Sequence, residues 1–141
     1  MKHLKRFNES LQPNEVDELK DFCEMSLAYL LDDGYQFSVS MRDKVKYPEK
    51  QHTIVSLGLK GNMGYRLFDW NDVKDYYIPF LQMLVRRYEL LPYSPPWEIP
   101  TSHVYFNTEG GFNYFPLEKV IKDDVSIGGL WGINIKIVDK I

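Results

Sequence analysis

Apolar residues recur along this chain at two spacings, and each change of spacing marks a new element. From Asp69 to Leu91 the positions Val73, Tyr76, Tyr77, Phe80, Leu81, Leu84 and Tyr88 fall on one face of a helix. Asp69 can cap its first turn, Phe68 and Val73 stand as a hydrophobic staple, and Arg86 and Arg87 suit its negative pole. Pro79 lies inside and predicts a kink in one helix, because the apolar stripe keeps its phase through it. A second helix is predicted from Asn14 to Asp33, with Val16, Leu19, Cys23, Leu27 and Leu30 on its apolar face and Gly34 as its stop.

Strict alternation takes over in Tyr35 to Arg42, where Tyr35, Phe37, Val39 and Met41 share a face, and in Thr53 to Lys60, where Val55, Leu57 and Leu59 point inward. Gly58 in that second strand marks a bulge or a close approach. His103 to Asn107 and Phe112 to Phe115 flank the turn Thr108-Glu109-Gly110-Gly111 as a hairpin, and Pro116 to Lys122 suits one helical turn. Trp131 to Val138 alternates once more, with Trp131, Ile133, Ile135 and Ile137 inward. The order αββαβββ predicts an α+β domain over residues 13–141, a mainly antiparallel sheet of about five strands with two helices on one face. A chain of 141 residues can bury such a core without staples.

Charge and composition narrow the chemistry. Seventeen Lys and Arg against 20 Asp and Glu leave a net charge of −3, which argues against a nucleic-acid partner. The G-x-x-G form at Gly61 to Gly64 resembles the loop with which KH domains clamp RNA, but here it leaves a strand instead of joining helices. No apolar run reaches the roughly 18 residues of a membrane span. Cys23 is the single cysteine and lies on an apolar face, which predicts an inert thiol. His3, His52 and His103 have no metal-ligand spacing, and no nucleophile elbow or phosphate loop is present, so neither cofactor nor catalytic constellation is predicted. The acidic pairs Asp32-Asp33 and Asp123-Asp124 are the oddest electrostatic feature, Asp32 and Asp33 because they close a helix at its negative pole. They are the weak candidates for a cation, beside the ordinary reading of a solvated turn.

Ten Tyr, 8 Phe and 3 Trp are more aromatics than one small core needs and suit a contact surface. In LPYSPPWEIP four prolines stiffen the segment that carries Tyr93, Trp97 and Ile99, making it a candidate partner-binding loop. Trp97 could instead fold back to cap the sheet.

Residues 1–12, MKHLKRFNESLQ, are basic, amphipathic and ended by Pro13, and read as an appendage. This opening resembles the M-K-x-L-K-x-F-N-E-S leaders of small tailed-bacteriophage proteins and, more loosely, the leaders that direct internal proteins into phage proheads. The resemblance covers about ten residues, with Leu4, Phe7 and Glu9 as its marks, and implies processing after Phe7-Asn8-Glu9. The resulting expectation is a phage-encoded, non-enzymatic protein-interaction protein of the host cytoplasm, binding through the exposed sheet face or the proline loop. A packaged virion component directed by residues 1–10 is the second reading, and a small enzyme with a dispersed site the third. Neither the partner nor the oligomeric state is legible.

Overall fold

The computed structural model describes residues 13–46, 51–61, 67–90 and 103–139. The element order is α1 (Pro13–Ser26), α2 (Ala28–Asp32), β1 (Gln36–Lys46), β2 (Gln51–Lys60), α3 (Trp70–Leu84), β3 (Tyr88–Leu90), β4 (His103–Thr108), β5 (Gly111–Pro116), α4 (Leu117–Ile121) and β6 (Leu130–Asp139). The strands form one antiparallel sheet in the order β1-β2-β6-β4-β5, with β3 added to β6. The α+β antiparallel architecture is the predicted one. Its central strand is the last in the chain, so the sheet is complete only when β6 lies between the β1-β2 and β4-β5 hairpins.

Register explains which side carries the core. Phe37, Leu59, Ile133, Phe106 and Asn113 stand in one row across five strands, and Val39, Leu57 and Ile135 in the next. Leu59, Ile133, Phe106, Leu57 and Ile135 are at most 1% exposed. Against them α3 sets Val73, Tyr77, Phe80, Leu81 and Leu84, and α1 sets Leu19 and Cys23, all within one core cluster. A run of ring contacts crosses the whole sheet beneath α3. Phe115 meets Phe106 at 5.6 Å, Phe106 meets Trp70 at 5.5 Å, and Trp70 meets Tyr77 at 6.1 Å. Tyr77 then meets Phe80 at 5.4 Å, and Phe80 meets Phe37 at 6.3 Å on the opposite edge. Much of the aromatic content therefore fills the core.

The opposite face holds the row Ser38, Gly58, Asn134, Tyr105 and Tyr114. Gly58 is a close approach: pairing runs through it unbroken, and a Cβ there would stand 2.8 Å from Asn134 Oδ1 and 3.2 Å from Ser38 Oγ. The bulge of this hairpin lies elsewhere, between Arg42 and Val45.

Several local expectations are corrected. The first helix is interrupted at Leu27, although Leu27 N–H still donates to Cys23 O and Leu31 N–H to Leu27 O. The central helix stops at Leu84 instead of Leu91, because Arg86 and Arg87 N–H bond back to Met83 O and Leu84 O in a closing turn and Tyr88 then pairs with Asp139. As expected, it continues as one helix through Pro79, which is exposed. Tyr76 is 40% exposed instead of core, and its ring stacks on that of Tyr29, itself 73% exposed. Trp131 is only half-buried, because it falls in the irregularity where Asn107 faces Gly132 but Thr108 faces Leu130.

Candidate functional site

Exposed apolar side chains of the described residues gather near the seam of α1 and α3. At the end of the seam a groove of about 290 Å³ is lined by Glu18, Leu19, Phe22, Met83, Leu84, Arg86, Arg87 and Tyr88. Leu19, Leu84 and Tyr88 are buried and make its floor, while Phe22 is half-buried and Met83 is 48% exposed on its walls. The turn that ends α3 is what builds the mouth. It swings Tyr88 into β3 and leaves Arg86 and Arg87 exposed at the rim, with the Arg87 guanidinium 5.3 Å from the Tyr88 ring centroid.

The apolar surface continues away from the groove. Met25 and Tyr29 are 75% and 73% exposed, and Tyr29 stacks on Tyr76 with ring centroids 5.4 Å apart. Phe22, Met25 and Tyr29 follow at helical intervals, and Tyr76 and Met83 lie two turns apart, about 10 Å along α3. These side chains of α1, α2 and α3 extend the apolar surface from the groove, whose mouth is charged with Glu18, Arg86 and Arg87. Contiguous apolar surface with a charged rim is the usual form of a protein contact site, and methionine side chains adapt to partners of differing shape.

The residues singled out from sequence are distributed differently. Tyr93, Trp97 and Ile99, and Leu4, Phe7 and Glu9, lie outside the described residues. Asp32 and Asp33 are exposed at the end of α2, and no group of three metal-ligating side chains gathers among the described residues. Cys23 is fully buried, and burial, with a smaller push from Glu24, raises its thiol to about 12, as expected of an inert cysteine. His103 is 6% exposed with its ring 5.3 Å from Tyr114. In the sheet, position 52 lies three residues before Val55, where the pairing of β2 with β6 begins, whereas β4 meets β6 from Tyr105, so positions 52 and 103 are not neighbours.

Asp123 has a structural role that its sequence context hides. It adopts φ 57°, a left-handed conformation that Asp tolerates, and its carboxylate accepts from Trp70 Nε1 at 3.0 Å and Lys74 Nζ at 2.9 Å. The Lys74 hydrogen bond, followed by that of Trp70, holds its carboxyl below the usual range. The charge thus has its counter-ion within the fold, and it ties the α4 turn to the start of α3. Asp69 adds a second tie there, accepting from Gly129 N–H at 3.0 Å, while Asp72 accepts from Asp69 N–H at 2.9 Å. Because folding lowers the Asp123 pKa, its contribution is present above the unfolded value near 3.9 and is lost as pH falls through the native value. Asp123→Asn should therefore lower Tm by a few degrees at pH 7 and flatten the acid limb below about pH 4. Thermal melts at pH 7, 4 and 3 check this; equal acid slopes for both proteins would contradict it.

Scans against family models, curated proteins and solved structures found no match to this chain. No helix among the described residues is long and apolar enough to cross a membrane.

Proposed function

We propose that this chain is a non-enzymatic protein-binding protein that takes an amphipathic helix of its partner along the α1/α3 seam. The observation that carries the reading is the exposed strip of Met25, Tyr29, Tyr76 and Met83, which leads into the groove floored by Leu19, Leu84 and Tyr88. A helix presents apolar side chains at i, i+3, i+4 and i+7, a pattern that fits a trough between two helices. Arg86 and Arg87 at one end favour acidic side chains or the negative C-terminal pole of the incoming helix. The leader resemblance of residues 1–10 supports a phage-encoded protein acting in the host cytoplasm or carried in the virion.

Fluorescence anisotropy with a synthetic amphipathic helix of about 18 residues, acidic in its last turn, tests the proposal. Binding in the micromolar range is expected, weakened about tenfold by Met83→Glu and by Arg86→Glu. A peptide with a basic last turn should bind less tightly. Equal affinity of both peptides, or no loss in either variant while its melting curve is unchanged, would refute the assignment.

A further inference from the structure

The groove at the end of the α1/α3 seam lies next to the point where residues 1–12 join the fold. Leu19 and Leu84 share the groove and Tyr29 stacks on Tyr76, so α1 and α3 run antiparallel, and the start of α1 comes beside the turn that closes α3. Pro13 opens α1, and Glu18 and Phe22 of the groove follow about 8 and 14 Å further along the helix axis. Six residues on from Phe7 stands Pro13, a stretch that spans roughly 20 Å when extended. A chain that doubles back at Pro13 therefore carries Phe7 to any part of the groove. We infer that residues 1–12 fold back over this groove, seat Leu4 and Phe7 in it, and hold the place of the partner helix until that helix displaces them. The inference deepens the proposed function and rests on that reading for the partner, though not for the groove.

Charge complementarity selects this occupant. On α1, Asp17, Glu18, Asp21 and Glu24 outnumber Lys20, and Asp17, Glu18 and Asp21 are exposed. Residues 1–12 have the opposite balance in a chain of net charge −3, with Lys2, Lys5 and Arg6 against Glu9. Folding back lays these cations along the acidic helix. Glu9 falls between Phe7 and Pro13, so the returning chain carries it past the turn that holds Arg86 at the groove mouth. Opposite charges meet at both places.

The apolar positions match as well. Met1, Leu4, Phe7 and Leu11 recur at helical spacing, which is the pattern that a trough between two helices accepts. Leu19 and Leu84 floor the groove at 2% and 1% exposure, and its volume of about 290 Å³ equals that of about ten waters. A phenyl ring and a leucine side chain fit that space. Because residues 1–12 are tethered at the groove, they compete at an effective concentration in the millimolar range, so a contact too weak to hold a free peptide still fills it. The apparent affinity for an outside helix then falls by the fraction of molecules whose groove is open.

Two measurements on the full chain test this. In the first, the double variant Leu4→Ser/Phe7→Ser should bind the amphipathic reporter helix about tenfold more tightly than the wild type. In the second, Phe7→Cys/Met83→Cys should form a disulfide within the monomer on mild oxidation, at least about tenfold faster than Phe7→Cys/Phe112→Cys, since Phe112 is 59% exposed on the far face of the sheet. Cys23 is buried and stays out of the exchange. Circular dichroism shows that each variant is folded. Equal reporter affinity of the wild type and the double variant would overturn the inference and leave the proposed function standing. Failure of the reporter to bind either protein would sink the proposed function, while a fast disulfide between positions 7 and 83 would still support the occupancy. Equal rates at 83 and 112, or a 7–83 disulfide formed only between two copies, would overturn it.

Discussion

Phe106→Ala is expected to lower the unfolding free energy by about 3–5 kcal/mol and Tm by roughly 6–20 °C. Phe106 is fully buried in β4, level with Ile133 of β6 and Asn113 of β5, and its ring meets Trp70 and Phe115 edge-on. Truncation would remove the link by which the β4-β5 hairpin joins the aromatic run under α3. The transfer loss and the cavity act together, and the two ring contacts add about 0.5–1.5 kcal/mol each beyond area. Neighbouring rings are large and held in register by backbone pairing, so the gap cannot close by local collapse. Met25→Ala is the natural contrast: Met25 is 75% exposed, and its change should stay within about 0.5 kcal/mol. Urea unfolding followed by far-UV circular dichroism and tryptophan fluorescence checks both. Similar midpoints for the two variants would show that the core does not run through Phe106.

Phe106 also shows what periodicity reveals and what it hides. Its strand was legible because HVYFN and FNYF flank a turn, and β2 and β6 were legible because alternation requires one face to be apolar. Those signals are local. The place of β6 in the sheet depends on pairings between residues tens of positions apart, and no spacing within a strand encodes them. The end of α3 misleads for a related reason. Tyr88 keeps the helical phase of Leu84, so an apolar stripe continues past the point where Val85 caps the helix and pairing with Asp139 takes over. Tyr76 misleads in the opposite sense, since a helical wheel places it on the stripe but it is 40% exposed and stacks on the exposed Tyr29.

The candidate seam could have been suspected from residues that break the polar face. Met25, Tyr29 and Met83 are large and apolar yet off the stripe that carries Cys23, Leu27 and Leu84. An amphipathic helix that has only to cover a sheet has no need of them. Their convergence is a matter of tertiary structure, because α1 and the turn after α3 meet only once both are docked. The Asp123 tie was hidden more deeply. An Asp-Asp pair after a short helix reads as a solvated turn, and neither Trp70 nor Lys74, 53 and 49 residues away, announces itself as a partner.

Alkaline pH should destabilise the protein through Cys23 and Tyr77, with an onset near pH 9. Both groups are buried, and burial favours their neutral forms. The Cys23 thiol is pushed from 9.0 up to about 12 by burial and then by Glu24, and Tyr77 is raised by burial and then by the neighbouring Cys23. Above pH 9 an unfolded thiol gives up its proton while the native one keeps it. The native state therefore binds more protons, and stability falls as pH rises until the native thiol also ionises. Over three pH units at about 1.4 kcal/mol each, Cys23 alone accounts for a loss on the order of 4 kcal/mol by pH 12. Tyr77 adds to the slope from pH 10 upward. Cys23→Ala should cost stability at pH 7 by leaving a small cavity, yet lose less between pH 9 and 12, so the two stability curves converge with pH. Urea unfolding at pH 7.5, 9, 10 and 11 measures this. Parallel curves would mean that neither the thiol nor its effect on Tyr77 is linked to folding. Since α1 forms one wall of the groove, loosening it around Cys23 should also weaken peptide binding over the same pH range.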